Sequence, residues 1–146
     1  DWLRNALSAR QRVPHLIPIY HVPAWPSYRS DESGGSARIN QQVREHWCPL
    51  FEEHGVRLAF EHHDHTFKRT HPIRGGKVDP QGVVYLGDGA WGVNLRKPDM
   101  EKPRWYMARA GMIRHFFVVT LYPEGRHVLA VNDNGQIFDE VYQRTR

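Results

Sequence analysis

The sequence predicts a sheet-centred α/β (α+β) domain. Three observations carry that expectation. Helical patterns and short apolar strands alternate over the N-terminal part of the chain. From residue 66 onward the apolar stretches are all short and bounded by turn residues, as in an antiparallel meander. The composition, 40% apolar and 25% charged over 146 residues, is that of one ordinary globular domain long enough to bury a core.

Trp2, Leu3, Ala6 and Leu7 share one helical face, which predicts a helix over residues 1–12. Asp1 stands at its positive end and Arg10 and Arg12 at its negative end, both matching the macrodipole. Pro14 stops it. Residues 15–20 read as a short apolar strand running into His21, and Pro18 inside it predicts an edge or a bulge. Residues 22–35 read as loop, stiffened by Pro23 and Pro26 and ending in a Ser/Asp/Glu/Gly tract. Ser36 is placed to cap a helix over 37–47, where Ile39, Val43 and Trp47 share a face. Residues 49–54 add one helical turn, ended by Gly55 where left-handed backbone is wanted. Residues 56–60 follow as a strand.

Further strands are predicted at 66–72, 82–86, 105–108, 115–122, 127–132 and 137–142. Turn signals separate them: Arg74-Gly75-Gly76, Gly87-Asp88-Gly89, Pro123-Glu124-Gly125 and Asn132-Asp133-Asn134-Gly135. There is no internal repeat.

Bulk properties exclude several classes of function. No apolar run approaches the ~20 residues a membrane-spanning helix needs. The net charge of +4 suits an anionic substrate, but the basic residues are scattered, so specific nucleic-acid binding has little support. The single cysteine, Cys48, excludes an internal disulfide and leaves secreted, periplasmic and cytoplasmic settings open. It is expected to be buried and inert on its helix. The chain enters a helical pattern at Asp1 without an initiator methionine or visible signal peptide, and so reads as a piece of something longer.

Chemistry concentrates in Glu61-His62-His63-Asp64-His65, just past a strand. Imidazole suits Zn, Fe, Ni and Cu, so the cluster points to a transition metal rather than Ca or Mg. In extended backbone His63 and His65 leave the same face. His21 also follows a strand, and functional groups in open α/β sheets gather at the carboxyl ends of strands. With the two strands parallel and joined by the 37–47 helix, all three imidazoles converge at one sheet edge. Two arrangements stay open on the residues alone: three histidines on one zinc, or one side of a two-metal site. Rival readings are a solvated polar loop, a non-catalytic zinc-binding module, and a basic β-rich domain binding carbohydrate or nucleic acid through exposed tryptophans.

Three blocks, taken in order, resemble a known family. They are His21 with its proline-rich follow-on, Trp47-Cys48-Pro49-Leu50-Phe51-Glu52-Glu53-His54-Gly55-Val56, and His63-Asp64-His65-Thr66-Phe67-Lys68-Arg69-Thr70. Together they look like the calcineurin-like metallophosphoesterases, nearest the purple acid phosphatase branch. That branch carries a lone metal-binding His after a strand, then Gly-His-x-His, an aromatic residue and often Glu-Arg. Gly82-Val83-Val84-Tyr85-Leu86-Gly87-Asp88-Gly89 is similar to the family's late strand and glycine turn. The likeness spans nearly the whole chain.

The resemblance implies that residues 1–146 are a single domain, the C-terminal half of a metallophosphoesterase-type β-sandwich flanked by helices, with an antiparallel meander at the end. It implies that His21 and His63 bind one metal and His65 another, the two divalent or trivalent ions being Fe, Zn or Mn. The implied reaction is hydrolysis of a phosphate ester by activated water. Asp64 would sit behind the ligands or in the loop's own hydrogen bonding, with Arg29 or Tyr28 contacting phosphate. The family's upstream Asp-x-His, Gly-Asp and Gly-Asn-His motifs are absent, and His62 and Lys68 stand where the family has Gly and usually Glu. No catalytic group therefore lies in this half, and the isolated chain is expected to be inactive. Its partners would be the substrate and the missing N-terminal half, with a homodimer through an exposed sheet edge as the other outcome and no membrane or specific nucleic acid.

For the remaining residues the expectations are plainer. Trp25 and Tyr28 either wall the substrate mouth or pack, and Trp91 either borders the site or, as the better expectation, fills the core beneath its loop. Arg29, Lys68 and Arg69 either attract an anion or are solvated. His62 is not at a ligand position of the family, and His15, His46, His54, His71, His115 and His127 are surface or packing residues.

Overall fold

Leu58 and Phe60 alternate with Ala59 along one strand, and Val84 and Leu86 with Tyr85 along its neighbour, and all six are buried. A strand apolar on both faces must be covered on both. A computed structural model, which describes residues 1–87 and 89–145, shows what covers them. The helices are α1 (Trp2–Ser8), α2 (Ala37–His46) and α3 (Cys48–Glu53). The strands are β1 (Leu58–Glu61), β2 (Phe67–Thr70), β3 (Ile73–Arg74), β4 (Lys77–Val78), β5 (Val84–Gly87), β6 (Met107–Gly111), β7 (His115–Tyr122), β8 (Gly125–Asn132) and β9 (Ile137–Arg144).

A mixed sheet runs in the order β1-β5-β2-β6, with β1 parallel to β5 and β2 antiparallel to both its neighbours. The meander β7-β8-β9 forms a second sheet, and β3-β4 a small hairpin. Leu58, Phe60, Val84 and Leu86 pack against Val128 of the meander, with Phe117 and Val141 alongside. Ala59 and Tyr85, on the opposite face, join Leu7, Val43, Cys48 and Phe51 of the helices. The layers are therefore helices, mixed sheet, meander: the helix-flanked β-sandwich that the resemblance implies. Among the described residues no helix is long and apolar enough to cross a membrane.

Several elements depart from expectation for physical reasons. Helix α1 ends at Ser8, so Arg10 and Arg12 lie beyond it. Leu3 and Leu7 reach the core while the residues from Arg10 to Pro14 are exposed, and a short helix persists only where packing supports it. The 15–20 strand shrinks to one parallel bridge, Ile19 to Phe60, because Pro14 and Pro18 have no N–H to donate. Hydrogen bonds still tie that segment to β1: Phe60 N to Pro18 O (2.9 Å), Tyr20 N to Phe60 O (3.1 Å) and His62 N to His21 O (2.9 Å). Parallel pairing of the two segments, joined through α2, thus stands. Gly87 is needed for close approach, since a Cβ there would lie 2.1 Å from Glu61 O. Asp88, in the expected glycine turn, lies outside the described residues. Trp91 is 56% exposed against Phe116, not in the core as expected.

Candidate metal centre

The bridge between Ile19 and Phe60 delivers His21 and the 62–65 loop to the same end of the sheet. There the Nε2 of His21 and the Nδ1 of His63 face each other at 3.1 Å. The loop is not extended. His63 and His65 both have positive φ, 87° and 60°, so the same-face argument for the pair does not apply. Left-handed backbone at a non-glycine residue costs free energy and persists only where the surroundings hold it; it clusters at functional sites. His65 borders a cleft lined by residues 92–96.

Ser36 was expected to cap α2, but its hydroxyl makes no cap bond and lies 3.0 Å from His63 Nε2. The tautomer with Nε2–H donating to Ser36 leaves the Nδ1 lone pair of His63 facing His21. Such a partner on the far nitrogen is how ligand histidines are oriented. Partial burial, with the nearby Arg29 and His21, holds the His63 imidazole below its ordinary range, and His62 is lowered chiefly by burial. Neutral rings are what a metal requires.

Two buried carboxylates fix the loops. Asp64 is fully buried and accepts the backbone N–H groups of Ser27 (2.7 Å), Tyr28 (2.9 Å) and Arg29 (3.4 Å), with Arg29 Nε 3.5 Å away. This nest pins the 27–29 turn to the histidine loop. Glu61 and Lys68 form an ion pair with no exposure on either side chain, at 2.5 Å. Lys68 therefore belongs neither to a solvated face nor to an anion-attracting rim. Its Nζ also donates to Trp25 O at 2.6 Å, while Glu61 accepts Ala24 N at 2.7 Å and the Tyr20 hydroxyl. Arg69 is likewise engaged, with Asp139 at 2.8 Å. Trp25 is buried against Tyr85 and Tyr106, so it packs, whereas Tyr28 is 48% exposed at the mouth beside Arg29.

No family model matches the chain. It is 33% identical over 120 residues to purple acid phosphatase 18 of Arabidopsis thaliana, a match covering 79% of this chain and 26% of that protein. Over this stretch the chain is related to the purple acid phosphatases. Acid phosphatase type 7 of Mus musculus is 27% identical over 164 residues, covering 97% of this chain and 37% of that one. The structure of a purple acid phosphatase isolated from yellow lupin (Lupinus luteus) seeds matches with a TM-score of 0.75 at 18% identity, covering 97% of this chain and 27% of that one, and so shares the fold. The chain thus spans between about a quarter and two-fifths of the length of these purple-acid-phosphatase-type proteins.

Purple acid phosphatases imply metal ions, and the donors present can be tested for fit. Two ligands bonded to one ion at about 2.0–2.1 Å stand roughly 3 Å apart. The 3.1 Å between His21 and His63 suits a shared ion, and the Ser36 contact presents the correct face of His63. Among the described residues no group of three or more His, Cys, Asp or Glu side chains is arranged to hold an ion. Sequence reasoning missed three contributors: Ser36, which has the residue type of a cap; the Glu61–Lys68 brace, which depends on strand register; and Arg96, which carries no motif. Arg96 N donates to His65 O at 3.2 Å, and its guanidinium lies 5.5 Å from the Tyr28 ring centre.

Proposed function

We propose that the chain is the C-terminal half of a dinuclear-metal phosphoesterase domain, that it supplies the histidine side of the centre, and that its substrate is a phosphate ester. The observation that carries this reading is the facing pair of ring nitrogens on His21 and His63, in a chain related to the purple acid phosphatases. His21 and His63 would hold one ion and His65 the other, with iron, zinc or manganese suited to such donors. When bound, the ions supply Lewis acidity toward the phosphoryl group and an activated water.

The chain's own residues orient and recognise. Ser36 keeps the His63 proton on Nε2, away from the site. Asp64 holds the 27–29 turn so that Tyr28 and Arg29 meet the phosphate at the mouth, where a guanidinium matches its oxygens. The Glu61–Lys68 pair keeps the His21 loop against the histidine loop. Bridging carboxylates and the remaining ligands come from an N-terminal half packed beside the 17–20 segment, whose Ile19 is 69% exposed. Without that half the chain turns over little or no substrate, and the same open edge can pair two copies.

The test is metal analysis and phosphatase assay of a longer protein that includes the upstream motifs. It should bind two metal ions per chain and hydrolyse p-nitrophenyl phosphate, losing activity on chelation. Fewer than two ions together with no ester cleavage would sink the reading.

A further inference from the structure

Three arginines near the histidine loop are already engaged. Arg29 Nε lies 3.5 Å from Asp64 Oδ1, Arg44 pairs with Asp31 at 2.6 Å, and Arg104 donates to the carbonyls of Pro26 and Arg29. Arg96 differs. Its Nη1, like Arg29 Nε, is buried with no hydrogen-bond partner, but unlike Arg29 it makes no ion pair among the described residues. Its backbone is fixed to His65 O at 3.2 Å and its guanidinium sits over the Tyr28 ring, 5.5 Å from the centre. Stacking on an aromatic face holds the plane of a guanidinium while leaving its edge free to donate. Arg96 lines a cleft of about 720 Å³ together with His65, Gly92, Val93, Asn94 and Leu95.

We infer that Arg96 is a selectivity residue that receives a second phosphate group of the substrate, so that the preferred esters carry two phosphates rather than one. This rests on the phosphoesterase reading of the same site. A buried donor without an acceptor is costly, and a phosphate oxygen entering the cleft satisfies it with a charge-assisted bond. His65 borders the same cleft, so a phosphate at the metals and another at Arg96 occupy adjoining space. Arg29, tied to Asp64, faces the scissile group; Arg96, unpaired, faces the second.

The test compares fructose 1,6-bisphosphate with fructose 6-phosphate on the metal-loaded longer protein and its Arg96→Gln and Arg96→Ala variants. Wild type should favour the bisphosphate in kcat/KM. Both variants should lose about tenfold or more on the bisphosphate, and much less on the monophosphate. Equal losses on both, or no wild-type preference, overturn the assignment. Calorimetric titration with inorganic pyrophosphate and inorganic phosphate gives a readout independent of turnover. Weakened pyrophosphate binding in Arg96→Gln supports the assignment even if neither ester is cleaved, a result that would count against the phosphoesterase reading alone. Unchanged pyrophosphate binding contradicts the role of Arg96.

Discussion

Lys68 ties together three separate pieces of the chain, two of them through one buried ammonium. Its Nζ reaches Glu61 at the end of β1 and the Trp25 carbonyl in the His21 loop, while its backbone belongs to β2. Glu61 answers by accepting Ala24 N, and the Tyr20 phenol, pushed up by burial and by Glu61 itself, stays protonated and donates to it. Removing one member of a buried pair strands the other charge, at a cost of about 3–5 kcal/mol. Lys68→Met should therefore destabilise the chain by about 3 kcal/mol or more in urea unfolding. The double variant Glu61→Gln/Lys68→Met should lose about 1–3 kcal/mol less than the sum of the singles. Additive losses would show that the pair is not coupled. The sequence marks Lys68 as a departure from the family, but not as buried: at a strand position, the register alone decides which side faces the core. His21 and His63 were legible because strand ends meet by topology. Arg96 was not, because only the fold brings its loop beside His65.

Strand β7 begins at His115, which is 3% exposed among Phe67, Phe117 and Phe138 and holds the joint between the two sheets. Its Nδ1 lies 2.9 Å from Ile113 O, and burial pushes its imidazole below the ordinary range. The unfolded chain, with the histidine near its usual ~6.5, then binds more protons than the fold just below that pH. Stability from this group is thus fully present above about pH 6.5 and is lost as pH falls through and below that value. Denaturant midpoints should drop between pH 7 and 5, with a shallower slope in His115→Leu; His62 and His63, also lowered, account for part of the remainder. An unchanged slope in that variant would rule the assignment out. The meander was readable because its strands carry clear turn signals at both ends, and β7 falls on the expected residues. The 15–20 segment was overread as a strand: its apolar character is real, but with Pro18 inside it only one bridge forms.

At the scale of the molecule, the layers follow from burial on both faces of β1 and β5, and these place both histidine segments at one end of the mixed sheet. The sandwich was legible from alternation and family resemblance together. The proposed division of the ligands rests on the resemblance alone, because the loop's left-handed residues defeat simple alternation. That division, with His21 and His63 on one ion and His65 on the other, is the central claim. It is tested most directly by counting metals in the longer protein after His63→Ala. The account predicts a fall from two ions per chain to one, with His21→Ala giving the same count. Two ions retained in both variants would contradict it.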